Sequence, residues 1–156
     1  MESCFIESPL GIAKIVGDEN GIAQISLLDD GVFSKEIPKV LQECVLQLQE
    51  YFEGIRTEFT FKVTPKGTDF QKRVWQELLN IPFGKTISYL DLAKKLGDIK
   101  VIRAAASANG KNPLWIAVPC HRVIGKDGSL TGYAGGLWRK KWLLDHENPS
   151  IQSSLF

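Results

Sequence analysis

The sequence has 156 residues, of which 44% are apolar and 24% charged, and its formal net charge is +1. This composition is typical of a soluble globular protein, long enough for one generous domain or two small ones. No apolar run approaches the roughly 20 residues of a membrane span, and the N-terminus has no basic segment followed by an apolar core, so we expect neither a membrane span nor a secretory signal.

The first half predicts a small α/β unit. Short apolar runs separated by Gly-containing turns indicate three strands, at residues 4–8, 11–16 and 21–28. Pro38 opens a predicted helix that ends at Gly54, because the apolar residues between them recur at helical spacing. Residues 56–63 then alternate like a further strand.

Residues 64–67, Thr-Pro-Lys-Gly, form the expected linker, and the sign of the charge changes there. Residues 1–65 contain five Lys/Arg against eleven Asp/Glu (net −6), whereas residues 66–156 contain fourteen against seven (net +7). We therefore expect an N-terminal domain at 1–65, a C-terminal domain at 66–150 and a loose tail at 151–156. The basic half indicates a polyanionic partner, although a solvated lysine face would have the same composition.

The second half predicts mainly helices, at residues 69–80, from Ser88 onward, at 99–109 and at 137–146. Ser88 with Asp91 is a candidate capping pair, and the two short helices joined at Gly97 fit a helix-turn-helix. Residues 121–124 and 129–131 predict a hairpin over an Asp127-Gly128 turn.

The second helix of that pair contains Arg103 in the run Arg-Ala-Ala-Ala-Ser-Ala. A helix with ordinary side chains is about 10–12 Å across, whereas the minor groove of DNA is about 6 Å wide. A helix reduced to alanine and serine can approach that groove more closely, and its arginine can reach farther than its backbone. A tightly packed interior helix would use the same residues, so both interpretations stand.

The segment Pro119-Cys120-His121-Arg122 is the strongest indication of chemistry. A cysteine behind an apolar run is ordinarily core, but cationic neighbours can lower the pKa of a thiol from about 8.5 toward roughly 3.5–7.5. The three cysteines (the others are Cys4 and Cys44) lack C-x-x-C spacing, which argues against a disulfide framework and favours a reducing, cytosolic setting. A structural thiol, and a zinc ion near Cys4, stay open as alternatives.

Several segments together resemble the O6-alkylguanine-DNA alkyltransferases, the methylated-DNA–protein-cysteine methyltransferases. They are RAAASA (103–108), NP (112–113), PCHRVI (119–124), GYAGG (132–136) and HE (146–147). The resemblance covers about residues 68 to 147 in one register. It implies a ribonuclease-H-like α/β N-terminal domain with a small antiparallel sheet, followed by a mainly helical C-terminal domain with a winged-helix-like helix-turn-helix.

The resemblance also implies a reaction: irreversible, stoichiometric transfer of an alkyl group from O6-alkylguanine in DNA, with O4-alkylthymine as a further candidate, after base flipping and without cofactor or metal. Cys120 would be the nucleophile, His121 the general base through a bound water, and Glu147 the residue that orients His121 and favours its charged form. Tyr133 would donate its hydroxyl to the base. The thioether is a poor leaving group, so one transfer per molecule is expected.

The partner implied is double-stranded DNA, bound by a monomer through its minor groove in the cytoplasm (at the nucleoid in a bacterium, in the nucleus in a eukaryote). Arg103 would fill the place of the flipped base and Tyr89 would press on the 3′ phosphate. The remaining residues implied are DNA contacts at Ala104, Ala105, Ser107 and Asn112, and a guanine pocket at Trp115, Val118, Pro119, Ala134 and Gly135. Trp115 is larger than its counterpart in many members, so we expect slow transfer of bulky groups such as benzyl.

Three other functions remain as alternatives. A lesion sensor without transfer would bind the same DNA, and a plain DNA-binding module would account for the basic half but not for Cys120, His121 and Glu147. A cysteine hydrolase would use Cys120 and His121 but would leave the basic half and the Arg103 helix unexplained.

Overall fold

The computed structural model describes residues 1–128, 130 and 132–149. The chain divides into two compact units. The first comprises Met1–Lys66 and Pro113–Ala117, and the second comprises Gly67–Asn112 and the chain from Val118 onward. The five residues that lead toward Cys120 therefore fold with the N-terminal half. The predicted tail at 151–156 lies outside the described residues.

The first unit is built on a three-stranded antiparallel sheet in the order β1 (Glu2–Ser8), β2 (Gly11–Asp18), β3 (Gly21–Leu28), which confirms the three predicted strands. Alternate strand residues are buried because successive side chains point to opposite faces, and they pack in a core with α1 (Gln42–Phe52). A 3-10 turn at Lys39–Leu41 precedes α1. Cys4 and Cys44 are buried, free thiols of this core.

The prediction of a strand at residues 56–63 is wrong. The segment makes only an isolated bridge, between Ile22 and Val63. The amide of Thr60 donates instead to the side chain of Gln47 on α1, at 2.9 Å. The alternation arises because Phe59 and Phe61 pack against each other, with ring centroids 5.5 Å apart. The side chain of Gln47 on α1 thus takes the place of a neighbouring strand as the hydrogen-bond partner of this segment.

Residues Pro113–Ala117 add to the edge of β3, where the Ile25 amide donates to Pro113 (2.9 Å) and the Trp115 amide to Ile25 (3.0 Å). The Ala117 amide then donates to Trp115, which closes a three-residue turn with Ile116 at φ 75°. A positive φ at a β-branched residue is strained by about 1–3 kcal/mol. Ile116 is the one non-glycine residue with positive φ in the described ranges, and its burial holds it there.

The second unit contains the remaining helices. They are α2 (Asp69–Leu78), α3 (Tyr89–Lys95), α4 (Ile102–Gly110) and α5 (Leu137–Glu147). The Ser88–Asp91 capping box is confirmed, with bonds of 3.0 and 3.4 Å between each residue's backbone amide and the other's side chain. Gly97, at φ 97°, allows the tight turn between α3 and α4, and the predicted pair of short helices is therefore present. None of the helices in the described part of the chain is long and apolar enough to cross a membrane.

The predicted hairpin is wrong in its first strand. His121 and Arg122 belong to a 3-10 turn, and only Val123–Ile124 form a strand, β5. β5 pairs in parallel with β4 (Ile87–Ser88), the two residues before α3. The turn near Asp127 does form, with the Gly128 amide donating to Gly125 at 2.9 Å. Residues 129 and 131 of the predicted second strand lie outside the described residues.

Candidate active site

The thiol of Cys120 sits at the start of the 3-10 turn Cys120–Arg122. The Cys120 amide donates to the Val118 carbonyl at 2.8 Å, across Pro119 at φ −82° and ψ 64°. Two asparagine side chains also donate hydrogen bonds to carbonyls of this backbone. Asn112 donates to Val118 at 2.8 Å, and Asn109 donates to the Cys120 carbonyl at 3.3 Å. The backbone that carries the Cys120 thiol is therefore fixed by three hydrogen bonds.

The pKa of the Cys120 thiol is raised, to about 11, by burial. A hydrogen bond with Asn112 and the charge of Lys140 offset part of this effect. The expectation that His121 and Arg122 lower this pKa is wrong in its net direction, because burial outweighs the groups that lower it. The side chains of His121 and Arg122 both contact Glu147. A thiolate of high pKa is intrinsically more nucleophilic, but this thiol needs a base to reach that state near neutral pH.

His121 can be that base. Its Nε2 lies 2.7 Å from Glu147 Oε2, and its Nδ1 is buried with no hydrogen-bond partner in the described part of the chain. An ionised carboxylate only accepts hydrogen bonds, so the neutral ring carries its proton on Nε2 and presents the Nδ1 lone pair. Burial lowers the pKa of His121, and Glu147 offsets part of that shift. The ring is therefore neutral and able to accept a proton at neutral pH.

Glu147, the last residue of α5, also binds Arg122 through both carboxylate oxygens, at 2.7 Å from Nε and 3.0 Å from Nη2. Burial acts to raise the pKa of Glu147, but His121 and Arg122 outweigh it, and the net shift is downward. Arg122 in turn donates to the Ile81 carbonyl at 2.7 Å. The carboxylate is thus charged, buried and fixed in orientation, as a residue that holds a histidine tautomer must be.

Lys140 is the functional candidate that sequence reasoning missed. It is fully buried, and its Nζ donates to the Val123 carbonyl at 2.7 Å and lies 6.0 Å from the centre of the Tyr89 ring. Burial lowers the pKa of Lys140 to about 8, with the charge of Cys120 acting in the opposite direction. The residue types of Arg-Lys-Lys at 139–141 do not distinguish this lysine from a solvated one. The helical period of α5, which places Lys140 on the buried face, is the one signal that could have indicated its burial.

The residues predicted for the guanine pocket do not all lie in the same unit. Val118, Pro119 and Gly135 are buried in the second unit, Tyr133 is half-buried there, and Ala134 is exposed. Burial, followed by the nearby Cys120, raises the pKa of the Tyr133 hydroxyl, which therefore stays protonated and able to donate. Trp115 belongs to the first unit, where it lines a cavity of about 370 Å³ with Val16, Gln24 and Lys66. Its role as a pocket wall stays a prediction.

The predicted DNA-binding residues separate by the faces of α4. Arg103, Ala104 and Ser107 are exposed together, whereas Ala105 is fully buried on the opposite side. Asn112 is also buried, since its side chain donates to Val118. In this structure the two residues contribute packing and positioning, and the DNA contacts predicted at them stay predictions. Tyr89 is half-buried at the first position of α3.

No group of three or more His, Cys, Asp or Glu side chains within residues 1–128, 130 and 132–149 is placed to hold a metal ion. The side chains of His121 and Arg122 both bind the carboxylate of Glu147.

Two family models together match most of the chain. The 6-O-methylguanine DNA methyltransferase, ribonuclease-like domain, matches residues 3–65, and the 6-O-methylguanine DNA methyltransferase, DNA binding domain, matches residues 69–149. The methylated-DNA–protein-cysteine methyltransferase of Methanosarcina barkeri is 43% identical over 154 residues, covering 94% of this chain and 97% of that protein. That of Mycobacterium tuberculosis is 41% identical over 155 residues, covering 96% and 94%.

Solved structures agree with these matches. The crystal structure of Mycobacterium tuberculosis OGT in complex with DNA has a TM-score of 0.87 to this chain at 41% identity, covering 96% of this chain and 94% of that one. The crystal structure of the Mycobacterium tuberculosis O6-methylguanine methyltransferase has a TM-score of 0.85 at 40% identity, covering 95% and 93%.

Proposed function

Because the chain belongs to the 6-O-methylguanine DNA methyltransferase family, we propose that Cys120 is the cysteine alkylated. The proteins of this family repair DNA: they bind it and transfer an alkyl group to a cysteine of their own. The substrate is O6-alkylguanine in double-stranded DNA. The observation that supports the assignment is the buried His121–Glu147 pair beside Cys120 in the chain: His121 Nε2 lies 2.7 Å from Glu147 Oε2, and its Nδ1 has no hydrogen-bond partner in the described part of the chain.

The steps follow from this arrangement. His121 Nδ1 takes the thiol proton through one water molecule, and the thiolate sulfur attacks the carbon attached to guanine O6. The carbon–oxygen bond breaks, and its electron pair stays on the guanine, which takes up a proton at N1 from water, while His121 returns the thiol proton to water. The products are guanine and an S-alkylcysteine, and no atom is left unaccounted for. Tyr133 donates its hydroxyl to the base and stabilises the charge that develops as the guanine leaves.

Base flipping precedes these steps, because O6 lies inside the duplex stack. The exposed face of α4 carries Arg103 between small side chains, and we place this face in the minor groove, with Arg103 in the space of the flipped base. The groove distinguishes bases poorly, so the protein scans for lesions with little sequence preference. We expect a monomer.

The direct test is mass spectrometry of the protein after incubation with a duplex that contains one O6-methylguanine. One methyl group per protein molecule, on the peptide that contains Cys120, is expected, together with complete repair of one equivalent of DNA. Cys120→Ala should keep its affinity for the lesion and lose transfer. Repair beyond one equivalent, or repair by an unmodified protein, would contradict the proposal, and binding without any transfer would favour a lesion sensor.

Replacing Arg103 with alanine is expected to slow transfer from duplex DNA by about 10- to 100-fold, because flipping a base costs a few kcal/mol that the inserted side chain helps to offset. Transfer from a single-stranded oligonucleotide should change little, since no stack has to be opened. Single-turnover rates on the two substrates measure the difference. Lys111→Ala, at an exposed cation just beyond α4, is the matched control and should affect both substrates equally.

Replacing Trp115 with alanine is expected to raise the rate of benzyl transfer relative to methyl transfer by about tenfold, the effect of about 1.4 kcal/mol of relieved crowding in the transition state. Competition between O6-benzylguanine and O6-methylguanine oligonucleotides measures the ratio. Phe33→Ala, which removes an exposed aromatic ring of the first unit, should leave the ratio unchanged. An unchanged ratio in Trp115→Ala would remove this residue from the pocket.

A further inference from the structure

The start of α5 is joined directly to the turn that carries Tyr133. The Gly136 amide donates to the Tyr133 carbonyl at 2.9 Å, and Gly136, at φ 92°, is the residue before the helix. Residues 133–136 form what we call the Tyr133 turn. No side chain caps this helix end, so the position of the turn depends on the contacts that α5 makes with it.

Arg139 makes such a contact. Its Nη1 donates to the Gly135 carbonyl at 3.0 Å, and its backbone amide donates to Gly136 at 3.2 Å. One residue of the first helical turn therefore binds two consecutive carbonyls of the Tyr133 turn, one with its side chain and one with its backbone. A charged donor makes a stronger hydrogen bond than a neutral one, which makes the guanidinium an effective tether.

Arg139 is buried in a place where burial is costly. Only 5% of it is exposed, whereas the two residues that precede it, Leu137 and Trp138, are 50% and 53% exposed. Its guanidinium lies over the Trp138 ring, 4.6 Å from the ring centre, so the exposed indole covers the charge. Cation–π contact and a charge-assisted hydrogen bond offset the loss of hydration. Lys141, two residues on, stays exposed, and the sequence alone does not separate these two cations.

The charge of Arg139 also reaches the phenol. Burial and then Cys120 raise the pKa of Tyr133, and the positive charge of Arg139 acts in the opposite direction. A cation close to the Tyr133 hydroxyl makes that hydroxyl a better hydrogen-bond donor. It also favours negative charge on a base that the hydroxyl contacts.

We infer that Arg139 is a positioning residue for alkyl transfer: it fixes the Tyr133 turn against α5 and so places the Tyr133 hydroxyl for the departing guanine. The inference rests on the proposed function. Because the leaving guanine becomes negative only as the carbon–oxygen bond breaks, Arg139 acts mainly on the chemical step and little on DNA binding.

The test compares Arg139→Gln, which removes the charge, with Arg139→Lys, which keeps it. Lys141→Gln removes an exposed charge from the same helix and is the matched control. Single-turnover transfer from an O6-methylguanine duplex, measured over a range of protein concentrations, separates the saturating rate constant from the half-saturating concentration. We expect Arg139→Gln to lower the rate constant about tenfold with a change of less than twofold in half-saturation. Arg139→Lys should recover part of the loss, and Lys141→Gln should match the parent protein.

Two further measurements separate positioning from a general loss of structure. Amide hydrogen exchange of a peptide containing Tyr133 should become faster in Arg139→Gln, while the peptide containing Cys120 keeps its protection. The rate at which iodoacetamide alkylates Cys120 should also stay within twofold of the parent. A parent-like rate constant in Arg139→Gln overturns the inference, and so does loss of protection and of iodoacetamide reactivity throughout the site.

The failure of the inference and that of the proposed function are distinguishable. If the parent protein transfers no methyl group, the proposed function fails, whatever the variants do. If the parent transfers one equivalent and Arg139→Gln does so at the same rate, only the role of Arg139 is lost.

Discussion

Replacing Glu147 with glutamine is expected to slow alkyl transfer by two to four orders of magnitude while leaving Cys120 in place. The expectation follows by analogy with hydrolase triads, in which the loss of the orienting carboxylate lowers the rate by about 10⁴. The carboxylate only accepts hydrogen bonds, and its Oε2 lies 2.7 Å from His121 Nε2. It therefore keeps the ring proton on Nε2 and leaves the Nδ1 lone pair able to accept a proton. A glutamine amide can donate to Nε2 instead, which moves the ring proton to Nδ1 and removes the base. The single-turnover rate constant on methylated duplex measures the loss.

The same substitution should destabilise the protein, by about 3–5 kcal/mol, because it leaves the buried Arg122 without its carboxylate. Glu147 accepts two bonds from that guanidinium, at 2.7 and 3.0 Å. Urea unfolding at pH 7 gives the change in the free energy of unfolding. Glu147→Asp, which keeps the charge but shortens the side chain, should recover more stability than rate, since the distance to His121 is what the tautomer depends on. Full activity in a folded Glu147→Gln protein would exclude the role of Glu147 in holding His121 as the base.

The stability effect has a pH signature. Because the pKa of Glu147 is lowered in the folded protein, its contribution is complete above the pKa of an unfolded glutamate, about 4.3. The contribution is lost as the pH falls through the lower folded value. The difference in stability between the parent and Glu147→Gln should therefore be constant from about pH 6 to 8 and shrink only in acid. A difference that grows in acid would assign the carboxylate a raised pKa.

The sequence predicted the elements whose signals are local. The three strands of the first unit, the Ser88–Asp91 cap and the pair of short helices depend on turn residues and periodicity within a few positions. Residues 56–63 were wrongly predicted because the partner of Thr60 is the side chain of Gln47, thirteen residues away. A two-residue parallel pairing of β4 with β5 has no periodicity to detect at all.

For the candidate site, too, the sequence predicted what depends on local motifs and missed what depends on the folded structure. Cys120, His121 and Glu147 were predicted from the resemblance of short motifs, but the direction of the shift in the pKa of the Cys120 thiol was not predicted correctly. That direction depends on burial and on which cation faces the sulfur. The sequence places His121 and Arg122 next to Cys120, whereas the folded chain turns both toward Glu147 and brings Lys140 from α5. Adjacent residues in a turn point in different directions, so neighbours in sequence were poor guides to electrostatic neighbours.

Replacing Lys140 with methionine is expected to slow transfer about tenfold at pH 7, because this buried ammonium is the cation that lowers the pKa of the Cys120 thiol. The pKa of Lys140 is itself lowered, to about 8, by burial. The parent protein should lose this assistance as the pH rises through that value. The ratio of parent to variant rates should thus be largest below about pH 7 and approach one near pH 10. Single-turnover rates measured across this range test the prediction.

Stability should move differently from rate in this variant. Burial disfavours the charged form of Lys140, and replacing a buried ion by an apolar side chain of similar size is often neutral or stabilising. The variant loses the hydrogen bond to the Val123 carbonyl, 2.7 Å in the parent, which is worth about 1.5–3 kcal/mol for a charged donor. We therefore expect a free energy of unfolding close to that of the parent, together with a tenfold slower reaction. A rate ratio that stays constant from pH 6 to 10 would mean that Lys140 acts only as packing, because the thiol would then not respond to its charge.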